Sequence, residues 1–286
     1  MLGDCHVHMV LDGVDYRAAM NRHRPQPNDE AIRACLSAYR DAGVIYLRDG
    51  GDKLNAAKRA GELAAEYEIE YRTPIFPICK KGRYGAFIGR TFESFSEYRA
   101  LVNEVAREGG DFIKIMISGL MDFDHYGKIT SEPLSDGEIR DMIACAHDCG
   151  FAVMAHANGA ETVMSAVRAG VDSIEHGAYL SDECVACLAE SETVWTPTLV
   201  TIGNLIGCGR YPDSVLKPLL EYQMQMVRAC AEKGGKIALG SDAGAYMVPH
   251  GKGREDEYAL LKAALGEGAD AILQSAECAI RKRFHR

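Results

Sequence analysis

His6 and His8 flank a single valine near the start of this chain. In a strand, where side chains alternate, that spacing turns both imidazoles to one face and Val7 to the other. Two imidazoles on one face can hold one metal ion. Such a pair also occurs in ordinary packing, so its weight comes from its companions. His156 ends the run Val-Met-Ala-His-Ala, His176 ends Ser-Ile-Glu-His-Gly, and Asp242 sits in Leu-Gly-Ser-Asp-Ala-Gly. Singly, either histidine reads as a core residue bonded to backbone, and Asp242 as an Asx turn. Together they offer two further imidazoles and a hard carboxylate beside His6 and His8. Asp242 is then the expected general base, with an oxygen free to take a proton from a metal-bound water.

Lys114 interrupts the apolar run Phe112-Ile113-Lys114-Ile115-Met116-Ile117. A buried ammonium there is costly unless it is paired or chemically altered. One reading pairs it with Glu175 or Asp242. The other has carbon dioxide carbamylate the amine, which turns a cation that would repel two dications into an anion whose two oxygens can bridge them.

Elements must bring these six side chains together, and each lies at or just past the end of a short apolar run. Eight such runs occur, at 2–8, 44–48, 71–78, 112–117, 151–156, 173–175, 193–196 and 236–239. Helical patterns alternate with them at 29–41, 53–67, 94–108, 136–149, 160–169, 182–190, 214–233 and 255–265, with a further helix at 269–283. Ser135 with Glu138 forms a capping box, and Gly43, Gly150, Gly170 and Gly234 follow helical stretches as stops. Strict alternation in eight units predicts an α/β fold, a (β/α)8 TIM barrel forming one hydrolase domain over 1–286. The long connections 79–91, 118–133, 197–212 and 243–254 then share the face on which barrel active sites are built.

Composition narrows the function. A net charge of −9 with no basic stripe argues against nucleic acid and for a small-molecule substrate. No apolar run approaches the roughly 18 residues of a membrane span, and the first residues lack a signal-peptide pattern, so a cytoplasmic protein is expected. Ten cysteines scattered singly suit a reduced interior; Cys184 and Cys187 have CxxC spacing without a second pair.

In these ligands together with Leu47-Arg48-Asp49-Gly50-Gly51, Gly170-Val171-Asp172-Ser173-Ile174-Glu175-His176-Gly177, Thr196-Pro197-Thr198-Leu199 and Ala238-Leu239-Gly240-Ser241-Asp242-Ala243-Gly244, the chain resembles the amidohydrolase superfamily over nearly its whole length. The resemblance is to the branch of imidazolonepropionase-like enzymes and metal-dependent dipeptidases with a bridging carbamylated lysine. It implies that His6, His8 and Asp242 hold the more buried of two divalent metal ions, most simply Zn2+, and that His156 and His176 hold the outer one. Carbamylated Lys114 would bridge them, and a hydroxide between the metals would attack the carbon–nitrogen bond of an amide, peptide-like or cyclic amide substrate. Manganese, iron, cobalt or nickel suit similar ligands.

Lactonase, phosphotriesterase-like and deaminase chemistry are the alternatives on the same barrel. Deaminases of the superfamily typically use one metal and lack the lysine. A scaffold barrel would be expected to lose a ligand. Relatives usually carry a small β-sandwich from both termini, so this chain is expected to be barrel-only, with exposed apolar surface that favours a homo-oligomer.

Substrate contacts are expected from the loops. Arg83, Tyr84 and Arg90 combine cations with flexible glycines, a possible carboxylate clamp. His125 and Tyr126, and Tyr246 with His250, are further pocket candidates. Arg48 and Asp49 read as a structural ion pair.

Overall fold

The computed structural model describes residues 2–285. In chain order it forms β1 (Asp4–Val7), α1 (Tyr16–Arg22), α2 (Asp29–Asp41), β2 (Tyr46–Asp49), α3 (Ala56–Ala64), β3 (Glu70–Arg72), β4 (Ile78–Lys80), β5 (Arg90–Phe92) and α4 (Phe95–Arg107). There follow β6 (Ile113–Met116), α5 (Asp136–Asp148), β7 (Val153–Ala157), α6 (Ala160–Arg168), β8 (Ser173–His176) and α7 (Asp182–Ala189). The chain continues through β9 (Val194–Thr196), α8 (Val200–Gly203), α9 (Asp213–Glu232), β10 (Lys236–Ile237), α10 (Lys252–Leu265) and α11 (Ala269–Arg283).

Every strand pair is parallel, in two sheets ordered β1-β2-β3 and β10-β9-β8-β7-β6-β4-β5. Parallel strands need crossover connections, and helices or long loops supply them. The strands β1, β2, β6, β7, β8 and β9 are buried at every residue, which is why they read as continuous runs. Backbone bonds also join the sheets. Cys5 N donates to Leu239 O (2.9 Å), Asp242 N to His6 O (2.7 Å) and His8 N to Ala243 O (2.8 Å), so the chain beyond β10 runs beside β1. At the other edge Asp111 N donates to Thr73 O at 2.9 Å, drawing the segment after β3 towards β6.

Three expectations change. The strand expected at 71–78 is two pieces in different sheets, because Pro74 and Pro77 remove amide donors and Ile75 takes φ 65°. The loop expected at 79–91 gives its ends to β4 and β5. The helix α8 falls within the loop expected at 197–212, and α1 forms in a stretch to which no element was assigned. The capping box of Ser135 and Glu138 is present, and Ser94 with Glu97 forms a second one at α4.

Ala276 and Ile280 of α11, with Phe284 just after it, pack against Cys5, Tyr46, Phe112, Met154, Val194 and Ala238. No helix among the described residues is long and apolar enough to cross a membrane.

Candidate active site

His6 lies within β1, and His8 follows it by the two-residue step that keeps both rings on one side. Their Nε2 atoms are 3.3 Å apart. Asp242 Oδ1 lies 3.5 Å from His6 Nε2 and 3.3 Å from His8 Nε2, so three donor atoms from opposite ends of the chain share one point. The backbone bond from Asp242 N to His6 O locks the two segments in register. Asp4 braces the turn, accepting from Ser241 N at 2.8 Å and Ser241 Oγ at 2.6 Å. Close approach needs small residues: a Cβ on Gly50 would lie 2.3 Å from His8 Cε1.

Burial, then the Lys114 cation, holds the His6 imidazole well below its ordinary pKa, so it is neutral. For Asp242, burial opposes ionisation, but His6, His8 and Lys114 outweigh it and keep the carboxyl below the usual range. Neutral imidazoles and an ionised carboxylate are the ligating forms.

His156 and His176 make a second group beside the first. Their ring centroids are 4.6 Å apart, and His176 is 5.2 Å from His6. The register pairs Met116 with His156 and Ala157 with His176, so adjacent strands deliver them at similar height. His156 Nε2 lies 3.1 Å from Gly119 O. A carbonyl only accepts, so Nε2 carries the proton and Nδ1 keeps its lone pair. His176 Nδ1 bonds Thr198 Oγ1 at 2.8 Å, leaving Nε2 with no hydrogen bond among the described residues. Burial is the main cause holding both rings well below their ordinary pKa.

His176, Asp242 and Thr198 take left-handed φ values of 69°, 58° and 51°. Such conformations cost about 1–3 kcal/mol each and persist only where surroundings impose them. Here the His176 carbonyl is held by Trp195 Nε1 at 2.9 Å and Gln223 Nε2 at 2.7 Å.

Lys114 is buried in β6, and its Nζ has no hydrogen-bond partner among the described residues. The pairing with Glu175 or Asp242 left open by the sequence is therefore not formed as a hydrogen bond. Burial pushes the amine down to about 8, against the pull of Glu175 and Asp242. An orphaned amine within electrostatic reach of His6, His156, His176 and Asp242 fits a site completed by groups that are not part of the chain.

Glu175 and Arg48 carry the support that sequence reasoning missed. Glu175 Oε2 lies 2.9 Å from His6 Nδ1, outside regular hydrogen-bond geometry, so the approach is an electrostatic contact. Its Oε1 accepts from Arg48 Nη2 (2.9 Å) and Ser173 Oγ (2.6 Å). Arg48 also donates to Ser173 Oγ at 2.9 Å and to Cys5 O at 2.7 Å. The expected Arg48–Asp49 pair is absent: Asp49 instead accepts from Met9 N at 2.8 Å, Gly51 N at 2.6 Å and Tyr71 Oη at 2.7 Å. Neighbours in a strand point to opposite faces, and that alternation was the signal available in the sequence.

The peripheral candidates divide. Tyr84 is at the site, its ring 4.8 Å from His156. Arg83 is exposed with no side-chain partner among the described residues. Arg90 is not available as a clamp: it pairs with Glu104 and lies 3.9 Å from the Phe76 centroid. His125 is exposed and bonded within its own loop to Asp122 at 3.0 Å. Tyr126 packs on Tyr179 at 5.7 Å, and Tyr246 lies under Arg210 at 4.6 Å. His250 is occupied elsewhere, with Nε2 donating to Leu11 O at 3.0 Å and Nδ1 3.2 Å from Tyr39 Oη. Cys184 and Cys187 are free thiols.

The family model described as the amidohydrolase family matches residues 4–279. The chain is similar to a protein of Mycobacterium tuberculosis described only as uncharacterized, at 29% identity over 265 residues, which is 91% of this chain and 67% of that one. It is similar to ochratoxinase of Aspergillus niger at 24% identity over 281 residues, 84% of this chain and 57% of that one. Among solved structures, a Xaa-Pro dipeptidase with bound methionine superposes with a TM-score of 0.75 at 23% identity, covering 96% of this chain and 72% of the other. At that identity the likeness shows the fold. The chain spans only part of the length of each.

Proposed function

The chain belongs to the amidohydrolase family and is a hydrolase acting on carbon–nitrogen bonds, and from that premise we propose that it is a binuclear metal enzyme cleaving the amide, peptide-like or cyclic amide bond of a small molecule. The observation that carries this reading is the gathering of His6, His8 and Asp242 donor atoms beside His156, His176 and an unpartnered Lys114 amine. In it the two sheets are one (β/α)8 barrel, supported by the bonds from Cys5, His8 and Asp242 that join β1 to the chain beyond β10.

His6, His8 and Asp242 would hold one divalent ion and His156 with His176 the other, and Lys114, if carbamylated by carbon dioxide, would add an anionic ligand; zinc suits this donor set. When bound, the two ions supply Lewis acidity, lowering the pKa of water and polarising the scissile carbonyl. The protein's own residues do the rest. Asp242 accepts the proton of the attacking water on a carboxylate oxygen and returns it to the leaving nitrogen. Its left-handed backbone, locked to His6, fixes where that oxygen points. Glu175 holds the His6 ring by its Nδ1 edge, leaving Nε2 for ligation. Tyr84, packed on His156, covers one side of the site and excludes water there.

Metal analysis with a screen of N-acyl amino acids, dipeptides, cyclic amides and lactones tests this function. Turnover of an amide with bound metal is expected; cleavage of lactones alone would transfer the reading to the lactonase alternative. A homo-oligomer in the cytoplasm is part of the proposal, and a sedimentation run showing only monomer would remove the assembly.

A further inference from the structure

Four rings lead from the metal-ligand candidates to the surface. His156 is buried; Tyr84 lies 4.8 Å from it, Phe87 lies 6.0 Å from Tyr84, and Tyr16 lies 5.6 Å from Phe87. Exposure rises outward, to 37% at Phe87 and 46% at Tyr16, where the neighbouring Arg17 guanidinium lies 5.5 Å from the ring centroid. The interplanar angles of 36°, 52° and 75° turn the rings progressively, which offers a guest both faces and edges.

The loop is built to hold this arrangement before anything binds. Ile88 N and Gly89 N both bond Gly85 O, at 3.1 Å and 2.8 Å, closing a tight turn around Ala86 and Phe87. Lys53 ties that turn down, its N donating to Ile88 O at 2.8 Å and its Nζ to Ala86 O at 2.6 Å. Ile88 is buried as an anchor while Phe87 points outward. A fixed turn that exposes an aromatic side chain lowers the ordering cost of binding there.

We propose that Tyr84, Phe87 and Tyr16 form the subsite for a flat aromatic group of the substrate, so that the amide cleaved carries an aryl ring on one side of its carbon–nitrogen bond. The occupant is assigned to the substrate because the inner end of the ladder is His156 itself, so a ring lying on Tyr84 places the attached amide at the histidine cluster. The bond cleaved rests on the function proposed above; the ring site does not.

The test titrates 2-naphthamide and acetamide into the protein with and without metal, for the wild type and for Phe87→Ala and Tyr16→Ala. Both substitutions are at exposed positions, so the fold is expected to survive, which circular dichroism checks. Naphthamide is expected to bind at least about tenfold tighter than acetamide with or without metal, and each variant to weaken naphthamide about three- to tenfold with acetamide unchanged. Kinetics should show KM for an aryl amide raised by the same factor in each variant with kcat retained, and KM for its acetyl counterpart unchanged. Equal naphthamide affinity in wild type and both variants would overturn the subsite, as would a change confined to self-association, which would assign the rings to a second copy of the chain. If naphthamide binds as expected and no amide is hydrolysed, the proposed function fails and the ring site stands. If amides are hydrolysed with no preference for aryl groups, the reverse holds.

Discussion

Glu175 approaches the inner nitrogen of His6 to 2.9 Å in a pair with no exposed surface, and the same carboxylate closes an ion pair with Arg48 at 2.9 Å. One residue therefore orients a ligand candidate and neutralises a buried guanidinium. Glu175→Gln keeps the shape and removes the charge. Metal affinity is expected to fall about 10- to 100-fold by chelator competition. Unfolding stability should drop by about 3–5 kcal/mol, because Arg48 is left buried and unpaired. Unchanged values in both assays would show that the contact is incidental.

Lys114 should separate stability from activity. Its amine is buried without a partner, so Lys114→Met removes an unfavourable burial and should leave the metal-free protein at least as resistant to urea as the wild type. The same variant should lose metal and turnover. A protein that unfolds more easily without its lysine would point to a structural pairing.

Gly50→Ala places a Cβ 2.3 Å from His8 Cε1 in a packed site, and the ring must move. Overpacking of this kind costs about 1–3 kcal/mol. The expected outcome is a folded protein by circular dichroism with metal binding lost.

Glu257 gives a pH dependence set mainly by its own burial. It is buried, accepts from Val200 N at 2.7 Å, and burial pushes its carboxyl up to about 8 against that bond. Since the ordinary value is 4.5, the folded state holds a proton that the unfolded chain releases between these limits. Stability should therefore fall as pH rises from about 4.5 to about 8 and flatten above. Glu257→Gln should remove that slope in urea titrations across pH; an unaltered slope would contradict it.

Much of the site was legible because strands alternate and because unpaired charge avoids burial. His6 and His8 followed from the two-residue step, and Lys114 from its place inside an apolar run. The contact of Glu175 with His6 was not, for a physical reason. Glu175 is followed directly by His176, and in a regular strand the two would face opposite sides. The left-handed backbone of His176 breaks the alternation and brings both near His6. The third strand was misjudged because Tyr71 to Ile78 is apolar enough for a stave, while its two prolines cannot supply the ladder. Arg90 and His250 illustrate a different limit: a cation or imidazole in a loop has no visible partner in sequence, and here Glu104 and Leu11 take them.

The most direct test of the account is the stoichiometry of divalent metal in protein reconstituted with zinc and bicarbonate, measured for the wild type, Lys114→Met and Asp242→Asn. Two ions per wild-type chain are expected, with fewer in Lys114→Met, and with hydrolysis abolished but the fold retained in Asp242→Asn. A wild-type chain that binds no ion, or one that hydrolyses amides undiminished after both ions are stripped, would contradict it.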